Sequence, residues 1–85
     1  MNQSQMAILK IFDPQYSNQN VQMEAILAKF PDALPDLKVL LETGFIQPYA
    51  SKNYDPQVDL LEQLQPGVSL TAKGVDLLLR SRFLF

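Results

Sequence analysis

The chain has 85 residues, 47% of them hydrophobic, with seven basic and nine acidic side chains, a formal net charge of -2, no cysteine and no histidine. A chain this short buries only about 60–65% of its unfolded surface, which suits one small domain over residues 1–85 with a single core. Disulfides, zinc–thiolate sites and thiol catalysis are excluded, the commonest general base near neutral pH is missing, and the acidic balance removes any general attraction to polyanions, so a non-enzymatic protein without cofactor or metal is expected.

Taken in chain order, Ile8, Leu9 and Phe12 predict a short amphipathic helix over residues 4–12, with Ser4 as its N-cap and Asp13-Pro14 as its stop. Gln15, Tyr16, Ser17, Asn18, Gln19 and Asn20 form a loop by composition, and Asn20 suits the cap of the next helix. There Met23, Ile26, Leu27 and Phe30 stand at i, i+3, i+4 and i+7, and Pro31 closes the stripe. Pro35 belongs in the first turn of a third helix, where its missing N–H costs nothing, and Leu37, Leu40 and Leu41 give that helix its buried face. Gly44 takes the left-handed position after the helix, with Phe45 folding back in a Schellman-type cap. Phe45 to Ala50 is a strand that Pro48 confines to a sheet edge.

Residues 56–64 read in two ways. With Asp55 as N-cap and Pro56 as first helical residue, Val58, Leu61 and Leu64 make the stripe of a short helix; as a strand, Val58, Leu60 and Leu64 share one face. The helix is preferred. Pro66-Gly67 ends the segment, Val68-Ser69-Leu70 is a brief strand, and Thr71 caps a last helix whose core positions are Val75, Leu78 and Leu79. The first residues lack the positive charge of a signal peptide, and no apolar run approaches the roughly 18 residues that span a bilayer, so a soluble cytoplasmic protein is expected.

Two stretches belong together. Leu37-Lys38-Val39-Leu40-Leu41-Glu42-Thr43-Gly44-Phe45-Ile46 reads as a helix that stops at glycine and turns into a strand; Val68-Ser69-Leu70-Thr71-Ala72-Lys73-Gly74 reads as a strand that stops at a threonine cap and enters a helix. Their order resembles the winged helix-turn-helix superfamily of bacterial transcription regulators, especially its arsenical-repressor-like and MarR-like branches, over about residues 5–80. In those families the recognition helix ends in leucine, lysine, valine, leucine, two variable residues, glycine and two apolar residues, and a leucine-threonine-x-x-glycine step leads from wing to last helix. The resemblance implies a mainly α fold with a small antiparallel β-ribbon. It also implies a homodimer that lays residues 32–43 in the major groove of double-stranded DNA and sets Lys52 on the adjacent backbone.

Two departures oppose that implication. Phe30 to Asp36, where DNA-reading members place polar side chains, brings the carboxylates of Asp32 and Asp36 to the place a phosphate oxygen would take. The wing is long and carries Asp55, Asp59 and Glu62 against Lys52. Both departures suit the second reading, a winged helix that grips a protein partner as adaptor, inhibitor or complex subunit.

Candidate residues follow from the two readings. Lys29, Lys38, Thr43, Lys52 and Lys73 are the nucleic-acid candidates: the four lysines give eight cations in a dimer, against about six to ten phosphate contacts for a specific binder. The bland alternative is solvated lysines on amphipathic helices. Asp55, Asp59 and Glu62 at i, i+4 and i+7 would share one helical face, as a solvated acidic stripe, a contact for a basic protein partner, or a magnesium or acid–base site lacking a phosphate-binding loop. Leu77, Leu84 and Phe85 stay apolar after the core stripe is assigned, Phe83 can pack beneath the helix, and the apolar Phe83-Leu84-Phe85 end is covered either by the first helix or by a dimer or partner interface. Tyr16, Tyr49 and Tyr54 stack on bases, anchor an interface or pack half-buried.

Overall fold

The computed structural model describes residues 1–15 and 19–83, with the backbone only at residues 51, 82 and 83. Helix α1 (Gln3–Leu9) starts at Asn2 and not at Ser4. The Asn2 side chain accepts the Gln5 N–H at 2.8 Å while the Gln5 side chain accepts the Asn2 N–H at 3.3 Å, a capping box that leaves Ser4 inside the first turn. Ile8, Leu9 and Phe12 are all buried, although Phe12 lies past the helix end.

Asn20 does not cap a helix. It opens strand β1 (Asn20–Gln22), which runs directly into α2 (Met23–Lys29). No side chain caps α2; the Met23 N–H is taken at 2.9 Å by the carbonyl of Pro66, forty-odd residues on in sequence, so this helix start is satisfied by tertiary structure. Helix α3 (Leu34–Glu42) carries Pro35 in its first turn and buries Leu37, Leu40 and Leu41. It ends as a Schellman motif: Gly44 has φ +83°, its N–H donates to Leu41 O at 3.2 Å, and the Phe45 N–H donates to Leu40 O at 3.0 Å. Strand β2 (Ile46–Pro48) follows, then a 3-10 turn (Tyr49–Ser51), helix α4 (Leu60–Gln63), strand β3 (Gly67–Leu70) and helix α5 (Ala72–Phe83).

The described residues thus form five α-helices around a three-stranded antiparallel sheet of order β1-β3-β2. β3 is buried at all four positions, pairing Asn20 with Ser69 on one side and Ile46 with Leu70 on the other. Pro48 sits on an edge strand, where a residue without an N–H does least harm. Ser69, fully buried, donates its hydroxyl to the Asn20 side chain, which also accepts the Ala50 N–H at 3.1 Å and holds Ala50 at φ +61°.

Two stretches differ from the sequence reading. The helix expected from Pro56 to Leu64 is one turn long, and Asp59, not Asp55, caps it. Asp55 is held in a turn, accepting the Gln57 N–H on its carboxylate at 2.9 Å and the Val58 N–H on its carbonyl at 3.2 Å; the extended backbone at Asp59 then separates this turn from α4. In consequence Leu64 is buried, but Val58 and Leu61 are 40% and 42% exposed. In α5, Leu78 is buried while Leu79 is 36% exposed and Leu77 packs partly against the core. Gly74 explains the rotation: it lets α5 approach the Phe45 carbonyl and Leu70 so closely that the inward side is centred on Gly74 and Leu78, with Leu79 about 100° from Leu78 and about 140° from Gly74.

The two sequence motifs converge at one junction. The Thr71 hydroxyl lies 2.6 Å from Gly44 O and 2.9 Å from Phe45 O as donor, and accepts the Gly74 N–H at 3.1 Å; the Thr71 N–H adds a bond to Phe45 O at 3.2 Å. Thr71→Val keeps the shape and removes these bonds, so it should cost about 1–2 kcal/mol, seen as a lower urea midpoint at unchanged slope, with Thr71→Ser restoring most of it. The glycines on either side should fail for different reasons. A Cβ on Gly44 meets nothing closer than 3.8 Å, so Gly44→Ala should lose only the roughly 1–2 kcal/mol of left-handed backbone strain. A Cβ on Gly74 would sit 2.3 Å from Phe45 O, so Gly74→Ala should be the more damaging substitution in the same unfolding experiment.

Candidate functional site

At about 100° per residue, the inward direction of α3 set by Leu37, Leu40 and Leu41 leaves Pro35, Val39 and Glu42 along its outer ridge. Val39 is 41% exposed, an apolar side chain facing away from the core. Lys38 flanks the ridge on the Leu41 side. On the other flank Asp36 accepts a hydrogen bond from the Gln5 side chain of α1 at 3.3 Å.

The segment between β2 and β3 folds back beside this helix. α4 packs against α3, and an open cleft of about 630 Å³ is lined by Lys38, Leu41 and Glu42 from α3 and by Tyr54 and Pro56 from the insertion. Gln63 clasps the insertion shut: its amide nitrogen donates to Asp55 O at 2.9 Å and Val58 O at 3.1 Å, while its oxygen accepts the Asp55 N–H at 3.0 Å. At the opposite end of α3 a second cleft, about 400 Å³, lies between α1 and the α2–α3 turn; its lining includes Gln3, Ser4, Lys29, Phe30, Asp32 and Asp36.

The nucleic-acid candidates fall in separate places. Lys29 lines the second cleft with Asp32 and Asp36, Lys38 lines the first with Glu42, and Lys52 is exposed after the 3-10 turn. Thr43 and Lys73 meet each other: Lys73 Nζ donates to the Thr43 carbonyl at 2.6 Å and lies 4.7 Å above the Phe45 ring, while the Thr43 hydroxyl donates to Val39 O at 2.8 Å. α3 has no basic residue in its own last turn, so a lysine from α5 supplies the cation that its carbonyl end favours.

The protein-interface candidates are also rearranged. Asp55, Asp59 and Glu62 do not share a helical face, because only Glu62 is in α4; the Asp59 carboxylate accepts the Glu62 N–H at 3.1 Å, as Asp55 does for Gln57. Among the described residues no acidic group of three is placed to hold a metal ion. Leu77 is half-buried and packs against the core from the side of α5 that is turned toward Gly74. Tyr16, Leu84, Phe85 and the Phe83 side chain lie outside the described residues. Tyr49 and Tyr54 are half-buried. Leu61, read from the sequence as part of a helical stripe, is exposed, and Val39 and Gln63 were not singled out by sequence reasoning; Val39 is legible as an apolar residue opposite the Leu37–Leu40–Leu41 stripe, whereas the role of Gln63 has no sequence signal.

No helix among the described residues is long and apolar enough to cross a membrane. Comparison with protein-family models, with curated proteins and with solved structures finds no match to this chain.

Two substitutions separate scaffold from surface. Lys73→Met should lower stability by about 0.3–1 kcal/mol, the value of a cation at a helix C-terminus, as measured by urea unfolding. Gln63→Ala should speed hydrogen exchange at the Asp55 amide at least about tenfold, as expected from losing roughly 1.4 kcal/mol of local hydrogen bonding, while the exchange of β3 amides changes far less.

Proposed function

We propose that this chain is a non-enzymatic binding module of winged-helix type that docks a protein on the outer ridge of α3 and the insertion beside it. The winged-helix reading is supported by the element order α1, β1, α2, α3, β2, α4, β3, α5, in which the glycine-capped end of α3 and the threonine-capped start of α5 flank the paired β2 and β3 and also meet each other. The observation that carries protein over DNA is the make-up of the α3 ridge. It presents Pro35, Val39 and Glu42, and the insertion lies against the Lys38 side.

Lys73 donates to the neutral Thr43 carbonyl and keeps its charge, so the candidates Lys29, Lys38, Lys52 and Lys73 against Asp32, Asp36 and Glu42 leave one net positive charge per protomer. A duplex would then meet only about one net positive charge per protomer, where a specific binder needs about six to ten phosphate contacts. A protein interface favours an apolar centre within a polar rim, and Val39, Val58 and Leu61 provide exposed apolar side chains bordered by charge. The second reading, double-stranded DNA held by a homodimer, draws on the outward placement of α3 and on the fold resemblance.

A mobility shift on random-sequence duplex separates the two. The protein-docking reading expects no retained duplex at either about 50 or about 200 mM salt, whereas phosphate binding would weaken by roughly 10³-fold between those concentrations and further with Lys38→Glu. In the positive direction, recovery of a cross-linked partner on the tagged chain should drop at least about tenfold for Val39→Asp, a change at an exposed position. Equal recovery by the variant would remove the α3 ridge as the docking face.

A further inference from the structure

We infer that the partner taken by the α3–insertion face is basic: a protein segment that sets lysine or arginine side chains around an apolar anchor. This deepens the docking reading above and rests on it. Charge is unevenly placed along the chain. Residues 29–62 carry six carboxylates (Asp32, Asp36, Glu42, Asp55, Asp59, Glu62) against three lysines (Lys29, Lys38, Lys52), a net of -3, while the whole chain carries -2, so the other residues sum to +1.

The fold lays that acidic excess along one helix and its neighbour. Asp32 and Asp36 line the cleft at the start of α3, and Glu42 lines the cleft at its end. Asp55 lies between Tyr54 and Pro56, which close the latter cleft, and Asp59 and Glu62 continue onto α4, itself packed on α3. None of the six acids is in an ion pair among the described residues; the pair found there, Asp76 with Arg80 at 3.0 Å, is on α5. Asp36, Asp55 and Asp59 accept neutral donors only, from the Gln5 amide and the Gln57 and Glu62 backbone. Three of the five large apolar side chains exposed among the described residues, Val39, Val58 and Leu61, fall in the same stretch.

Exposed apolar side chains on a segment whose carboxylates lack ion pairs complement a surface of the inverse pattern. Such a segment attracts a basic partner from a distance and repels nucleic acid and acidic proteins, because like charges brought together at an interface are strongly unfavourable. Lys29, Lys38 and Lys52, with Lys73 at the end of α3, lower this selectivity without reversing its sign, since six carboxylates stand against four cations.

The test follows amide chemical shifts of the full ¹⁵N-labelled chain during titration with two synthetic helical peptides of equal leucine content, one bearing arginine and the other glutamate at its polar positions. The arginine peptide should shift amides in residues 35–42 and 54–62 and leave those of residues 74–80 in place. Its affinity should fall about tenfold between roughly 50 and 300 mM salt, as for partly screened charges. Glu42→Lys with Glu62→Lys, both exposed, should weaken it about tenfold, while Glu24→Lys on α2, also exposed, should leave it within about twofold. Binding of the glutamate peptide to the same face overturns the basic-partner inference and leaves the docking reading standing. Arginine-peptide shifts spread over α5, or equal loss from Glu24→Lys, overturn it as general charge attraction. If neither peptide moves the face, the inference fails, and the docking reading is then judged separately by the Val39→Asp recovery experiment.

Discussion

At the meeting of α3 and α5 two helix ends of opposite polarity face each other, and one threonine serves both. The end of α3 presents free carbonyls and the start of α5 presents free amides. The Thr71 hydroxyl lies within donor range of the Gly44 and Phe45 carbonyls and accepts the Gly74 amide, while Lys73 reaches the Thr43 carbonyl. Because Gly44 turns the chain straight into β2 and Thr71 follows β3 without a linker, the same contact sets the pairing of Ile46 with Leu70. A slip of one residue there would turn each β3 side chain to the opposite face of the sheet, and neither face has room for it, since all four positions are buried.

The rest of the scaffold leans on this junction through further long-range caps. α1 and α2 have seven residues each, well below the roughly 12–15 at which an isolated helix is even marginal in water. Their helicity depends on packing, and in α2 also on the Pro66 carbonyl that takes its first amide. α1 is joined to α3 by the Gln5–Asp36 bond, and β1 to the 3-10 turn by Asn20. A chain of 85 residues without disulfides or metal-binding cysteines gains cohesion this way: polar groups at element ends are shared between segments distant in sequence.

With polar groups so committed inside, the outward chemistry is sparse and therefore informative. The scaffold spends Lys73 and Thr43 on the end of α3 and leaves the α3 ridge with an exposed valine between proline and glutamate. Beside it the Gln63 clasp keeps the acidic insertion folded, so the carboxylates of residues 55–62 have a defined place instead of trailing in solvent. An insertion of this kind is poorly suited to phosphate, because its net charge has the same sign, and it leaves the apolar side chains of Val58 and Leu61 exposed.

Much of this was legible in the residues themselves. The Met23–Ile26–Leu27 and Leu37–Leu40–Leu41 stripes, the positive φ at Gly44 and the Thr71 cap are local: they follow from helical periodicity and from what a single backbone position tolerates, and both helices and both caps stand where those patterns put them. Strand β1 was not legible, because Asn-Val-Gln has no period of its own and becomes a strand only when β3 lies beside it. Nor were the short α4, the turned face of α5 or the engagement of Lys73, since each depends on a partner far along the chain: the Gln63 amide, the Phe45 carbonyl behind Gly74, and the carbonyl end of α3. Residue order determines which segments coil, extend or stop, because those preferences act over a few bonds; which polar group answers which, and so which charges remain for a partner, is decided only when the segments are packed, because a hydrogen bond or ion pair forms between whichever atoms the fold brings within about 3 Å.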